Sequence, residues 1–259
     1  MKKRFGAGKS YADVLTILLV IIIIAIVALL SFFAYRVIDK KNVESVASSS
    51  NDEFLATAKE NKKHIDSAKK EEELEVPTEI DLDKANALIG DVSQNNQAEQ
   101  QEQSSQVSNV EIKKTYLGNY EIKGSIDISK TNCKYPILEK VTVDSLKKSV
   151  AILDIVANPE LNRTVKDLNV PGTNAFILGH NYRNGQFFSN NDKLAIGDKI
   201  KITDQTGTTI TYTIYNMFYA RPDDVSFMER DVDINTREIT LQTCNEDSSE
   251  RLIILAKDN

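Results

Sequence analysis

A chain of 259 residues with a formal net charge of -6 has no basic face to offer phosphates, which excludes a nucleic-acid partner. Two cysteines, Cys133 and Cys244, and two histidines, His64 and His180, are too few for a disulfide framework or a structural zinc site. Either thiol chemistry or a single Cys133–Cys244 bridge remains.

In chain order, residues 1–13 carry Lys2, Lys3, Arg4 and Lys9 against Asp13 alone. Residues 14–35, VLTILLVIIIIAIVALLSFFAY, contain no charge, and at about 1.5 Å rise per residue the run spans a hydrocarbon core of ~30 Å. This predicts one transmembrane helix. A cleaved signal peptide is the alternative, although its apolar stretch is typically about 7 to 15 residues and ends at a small-x-small site. Arg36, Lys40 and Lys41 are mixed with Asp39 and Glu44, so the excess of positive charge before the run places the N-terminus in the cytoplasm and the remainder outside.

Residues 36–109 are charged, rich in Ser, Gln and Asn, and include the low-complexity stretch SQNNQAEQQEQSSQ at 93–106. They predict an extracellular stalk, largely disordered or helical. DEFLATAKENKKHIDSAKKEEELE has the Glu and Lys spacing of an exposed helix but few apolar residues with which to dock. His64 lies in that solvated face, without the packed shell that chemistry requires.

From residue 110 to 259 the texture changes to short alternating runs: YEIKGSIDI, AFILGHN, DKIKITDQTGTTITYTIYNMF, REITLQTC and RLIILAK. Asp204–Gly207 predicts a hairpin turn, and DSLKKSVAIL at 144–153 a short helix. The class is therefore all-β, a sandwich or barrel.

His180 ends the apolar run AFILGHN and is the one histidine of this region, so any imidazole acid–base work falls to it. The plainer reading is a histidine satisfied by local hydrogen bonds. Along REITLQTC, Cys244 alternates with Thr240 and Gln242 against Ile239, Leu241 and Thr243, which sets the thiol on the more polar face. A hairpin through NEDSSE returns Arg251 beside Cys244. Taken singly, an arginine such as Arg251 is more often a strand-edge charge, here paired with Glu246, Asp247 or Glu250. Cys133, in KTNCKYPIL, reads as a buried structural thiol.

Thiol, imidazole and guanidinium together supply a nucleophile, a proton carrier and a cationic donor for an oxyanion. TLQTC at 240–244, Arg251 downstream and LGHN at 178–181 upstream resemble the signature of the sortases, and YEIKGSIDISKTNCKYPIL and GQFFSNNDKLAIGDKIKI resemble flanking segments of that family. The resemblance implies a sortase-type eight-stranded β-barrel with short helices, and transpeptidation at a signal similar to Leu-Pro-x-Thr-Gly. Cys244 would attack, His180 carry protons and Arg251 hold the oxyanion, with Thr243 a contact to the peptide. Partners would be surface proteins carrying a C-terminal sorting signal and an amine from a peptidoglycan precursor or a pilin. The segment RPDDVSFMERDVDINT is short, as in class A-like or class D-like members. No cofactor is required by the steps. Asp223, Asp224, Glu229, Asp231 and Asp233, with Asp154 or Glu160, leave a calcium site open beside the plainer reading of a solvated loop. A cysteine hydrolase, or a stalked binding module without catalysis, are the alternative functions.

Overall fold

The computed structural model describes residues 7–74, 111–161, 164–245 and 247–258. Lys2, Lys3 and Arg4, the stretch 93–106 and Glu246 lie outside the described residues. The chain forms two compact units, Met1–Val46 and Ala47–Asn259, and the first long element is helix α1, Ala7–Leu74. In the first unit the isoleucine-rich run is helical and apolar on every side, with a window of mean hydropathy 3.4 and none of it buried. It is the one helix among the described residues long and apolar enough to cross a membrane.

The second unit is a closed barrel. Its strands are β1 (Tyr116–Leu117), β2 (Tyr120–Ile128), β3 (Cys133–Leu138), β4 (Val150–Ala157), β5 (Thr173–Leu178), β6 (Lys199–Asp204), β7 (Thr209–Ala220), β8 (Arg237–Cys244) and β9 (Arg251–Lys257). The order β2-β3-β4-β5-β8-β9-β7-β6 returns to β2, so eight strands close and two-residue β1 is appended to β2. β3–β4 and β5–β8 are parallel, and the remaining pairs are antiparallel. Closure leaves no free edge along the eight. The expected eight-stranded all-β barrel is what the chain builds.

The β6–β7 hairpin turns where the sequence predicts. Asp204 Oδ1 accepts from the Thr206 and Thr208 amides, and Gly207 takes a left-handed φ of +77°. Helix α2 is shorter than expected, Val143–Lys148 rather than 144–153. Thr142 and Ser145 form a reciprocal cap at its start. Ser149 turns extended at its end, and the apolar Val-Ala-Ile-Leu that follows becomes β4, where β-branched residues pair well.

The predicted stalk helix does not remain free of the barrel. Ala47, Phe54 and Ala58 are almost fully buried, and Phe54 and Ala58 pack with Leu117, Ile122, Leu138 and Ala151. Asn61 Nδ2 donates to the Lys113 and Gln205 carbonyls, and Asn61 Oδ1 accepts from the Lys113 amide. The count of apolar residues was a poor guide here, because one phenylalanine and two alanines suffice where the backbones approach closely. At Gly207 an added Cβ would lie 2.4 Å from the Ala58 carbonyl oxygen.

Candidate active site

The site is set by strand register. Along the parallel β5–β8 pair, Leu178 stands opposite Gln242, and the Gly179 amide continues the ladder to the Gln242 carbonyl at 3.1 Å. His180 follows two residues beyond Leu178, at the end of the pair where Cys244 lies. In the antiparallel β8–β9 pair Cys244 and Arg251 are direct partners, as the seven-residue hairpin requires. His180, Cys244 and Arg251 therefore lie at one end of three neighbouring strands, each half-buried, with Cys244 and Arg251 direct partners.

The strand ends are fastened locally. An added Cβ at Gly179 would lie 2.6 Å from the Phe188 ring, so only glycine lets the chain pass beneath it to His180. Asn181 Nδ2 donates to the Cys244 carbonyl at 3.0 Å, tying the chain after the histidine to the residue that carries the thiol. The Tyr182 ring lies over the imidazole, centroids 4.8 Å apart, and itself packs on Phe187. Sequence reasoning gave Asn181 and Tyr182 no role. Their positions directly after His180 were the available signal.

Burial, and secondarily the charge of Lys147 on α2, push the His180 pKa below its ordinary value, which favours the neutral imidazole. Arg251 Nη1 donates to the Ser248 and Glu250 carbonyls, and it has no carboxylate partner among the described residues. Asp247 is instead engaged with Ser249, and Glu250 with Asn245. Among the described residues, no carboxylate neutralises the guanidinium.

Neither cysteine is in a disulfide. Cys133 is fully buried on β3, where desolvation and the Asp127 charge push its thiol pKa far up, as suits a structural residue. His64 is exposed on α1. Thr243, expected as a peptide contact, is 4% exposed and alternates to the face opposite Cys244; both residues border an open cleft of about 320 Å³ with Leu252 and Tyr219.

On the Cys244 face, an apolar strip of Phe176, Ala220, Ile253 and Leu255 runs from these strand ends. Phe227, in the turn Ser226–Met228, covers it, with ring centroids 6.2 Å from Phe176 and 6.1 Å from Phe218. Arg230 pins that turn to the barrel. It donates to Glu238, to the Tyr215 hydroxyl and to the Phe227 carbonyl. Three acidic residues of the same connection are engaged locally: Asp224 caps Ser226, Asp233 accepts from the Asn235 amide and Asp223 pairs with Arg221. No group of three or more His, Cys, Asp or Glu side chains suited to a metal occurs among the described residues.

A family model described as Sortase domain matches residues 126–259, more than half of the chain. No curated protein matches it. Among solved structures, a lid mutant of sortase A from Corynebacterium diphtheriae is similar at 25% identity over 54% of this chain and 71% of its own, with a TM-score of 0.45. A Clostridium perfringens sortase D5 transpeptidase is 28% identical over 53% of this chain and 79% of its own, TM-score 0.43. Sortase C1 of Streptococcus agalactiae is 23% identical over 53% and 69%, TM-score 0.45. With the match of the family model over the barrel, the chain belongs to the sortases, the cysteine transpeptidases of cell-wall sorting.

Proposed function

We propose that this sortase is anchored by residues 14–35 with its N-terminus in the cytoplasm and its catalytic domain, 110–259, outside, the stalk of 36–109 between them. There it cleaves a signal similar to Leu-Pro-x-Thr-Gly in surface proteins and transfers them to an amine of a peptidoglycan precursor or a pilin. The observation that carries this reading is the pairing of Cys244 with Arg251 at the end of the β5–β8–β9 strands from which His180 follows by two residues.

In this mechanism the neutral His180 imidazole takes the Cys244 proton, and the thiolate attacks the threonine carbonyl. Arg251, uncommitted to any described carboxylate, donates to the oxyanion. The imidazolium then protonates the leaving glycine amine as the peptide C–N bond breaks, which leaves a thioester. An incoming amine gives its proton to His180 and forms the new amide. The chain's own groups supply every step without a cofactor, and the strip beneath Phe227 suits the apolar residues that precede the scissile bond. Thr243, facing the other way, is left out of the peptide groove.

The test is intact-mass spectrometry of the full chain in detergent micelles, incubated with a Leu-Pro-x-Thr-Gly peptide library and an amine. A thioester adduct and an amine-capped product, both absent in Cys244→Ala, are expected. Product capped by water alone would replace transpeptidation with hydrolysis as the activity on these peptides, and no adduct with any peptide would remove this class of donor.

A further inference from the structure

Beyond Gly179 the chain parts from β8. The Phe188 amide donates to the His180 carbonyl at 3.2 Å and Asn181 pairs with Phe187 in an isolated antiparallel bridge, so the backbone turns back on its own loop. A parallel ladder draws its bonds from every second residue, and after the bond from Gly179 to Gln242 the next would run from the Asn181 amide to the Cys244 carbonyl. The Asn181 side chain takes that place, its Nδ2 donating to the Cys244 carbonyl at 3.0 Å. The carboxamide is oriented from both ends, because Oδ1 accepts from the Arg183 amide at 3.0 Å.

The neighbouring strand shows why Cys244 calls for this donor. In the β8–β9 pair the Asp258 amide donates to the Arg237 carbonyl, and the Asn245 amide to the Glu250 carbonyl. By the alternation of an antiparallel ladder, Cys244 and Arg251 are then a non-hydrogen-bonded pair, with side chains close together and the Cys244 carbonyl turned away from β9 toward β5. One carboxamide thus meets the main chain of the residue that carries the thiol and stands directly after the residue that carries the imidazole. A second link across the gap, Arg183 Nη2 to Ser248 Oγ, is 3.5 Å long and joins two exposed side chains.

We propose that Asn181 is a positioning residue for acylation, a side-chain rung that keeps the His180 imidazole within reach of the Cys244 thiol while the backbone turns away. The inference rests on the reading of Cys244 as nucleophile and His180 as proton carrier, and it adds the residue that sets their separation. A side-chain rung spans a wider gap than a backbone one, so the two strand ends part without coming loose, and Asn181 and Cys244 both border the open cleft. Proton transfer between sulfur and imidazole requires hydrogen-bond reach, so loss of the rung acts on the rate of acylation rather than on peptide binding.

The test compares the full chain in micelles with Asn181→Ala, which removes the carboxamide, and Asn181→Asp, which keeps its shape and the acceptor for the Arg183 amide but has no donor when ionised. With a Leu-Pro-x-Thr-Gly donor peptide, kcat for acylation should fall at least about tenfold in both variants with KM within about twofold. The unfolding midpoint should stay within about 4 °C, the scale of one hydrogen bond. An unchanged kcat in either variant, or a loss confined to KM, overturns the proposal. A second arm needs no peptide. The rate of Cys244 alkylation by iodoacetamide, read by peptide mapping across pH, should show a step at the His180 titration midpoint in the parent chain, and both His180→Gln and Asn181→Ala should lose it. Loss of the step in Asn181→Ala supports the rung even if no peptide acylates the chain. A step that persists there overturns the proposal and leaves the catalytic pair intact, whereas a parent profile without the step overturns both.

Discussion

The barrel carries two covered apolar patches, and they are held in different ways. Near β1–β4 the cover is a helix: Phe54 and Ala58 of α1 sit on Leu117, Ile122, Leu138 and Ala151, and Asn61 locks the helix to two backbone segments through neutral amide hydrogen bonds. Beside β5, β7 and β9 the cover is one ring, Phe227, held by Arg230 and bordering the strand ends that carry Cys244. The first cover buries its residues almost completely and leaves Cys244 untouched. The second is a three-residue turn fastened through the single Arg230 side chain to Glu238, Tyr215 and the Phe227 carbonyl. On the proposed function one patch serves stability and the other recognition, and substitutions in each should separate the two effects.

The largest expected effect is on the helix side. Phe54→Ala removes a ring that is 2% exposed and should lower the unfolding free energy by about 3–5 kcal/mol, read by urea denaturation of the full chain in micelles. Thioester formation per folded molecule should stay within about twofold. A large loss of that activity with stability intact would make the helix part of the site. Gly207→Ala follows, at about 2–3 kcal/mol, because alanine is strained at φ +77° and its Cβ would meet the Ala58 carbonyl. A stabilising result would mean that helix and turn are not in contact in solution.

How much of this was legible in the sequence follows the same division. The β6–β7 turn, the β8–β9 register and the thiol–guanidinium pairing could be read because each depends on residues within a few positions of one another. The helix dock could not. Its contacts join α1 to residues such as Leu117 and Gly207, and its surface is an ordinary charged helix with a single phenylalanine. The extent of α2 was misjudged because Val150–Leu153 suits a helix or a buried strand equally, and pairing with β5 decides between them. The alternation along REITLQTC set Thr243 on the face opposite Cys244, which is where the structure places it. The apolar residues of RPDDVSFMERDVDINT gave no sign that Phe227 folds back over β5 and β9, a contact made across a long separation in sequence.

On the recognition side, Phe227→Ala should reduce kcat/KM for a donor peptide by about tenfold, in the range for losing apolar contact with a substrate. Its cost to stability should be below that of Phe54→Ala, because a surface turn relaxes around the gap more readily than a docked helix. If the unfolding free energies fell equally while kcat/KM held, the strip would be ordinary core and the contrast between the two patches would fail.

The smallest effect is on pH dependence, and it tests whether the site at the end of the strip is electrostatically as described. His180 feels the charge of Lys147 from α2 and packs on the Tyr182 ring of its own segment, with no carboxylate described against it. Its titration midpoint, followed by NMR in the full chain, should fall below 6.5, chiefly through burial. Lys147→Gln should raise the midpoint while leaving it below 6.5, since the larger cause remains. Because the folded state holds this proton more weakly than the unfolded state, the sign is fixed: His180 costs stability as the pH falls below 6.5 toward its folded pKa, and the cost disappears above 6.5. His180→Gln should flatten that part of the stability–pH curve. A midpoint above 6.5 would show that an anion faces the imidazole, with the Cys244 thiolate the group to examine, and the histidine would then rest as the charged partner of an ion pair rather than as a neutral base.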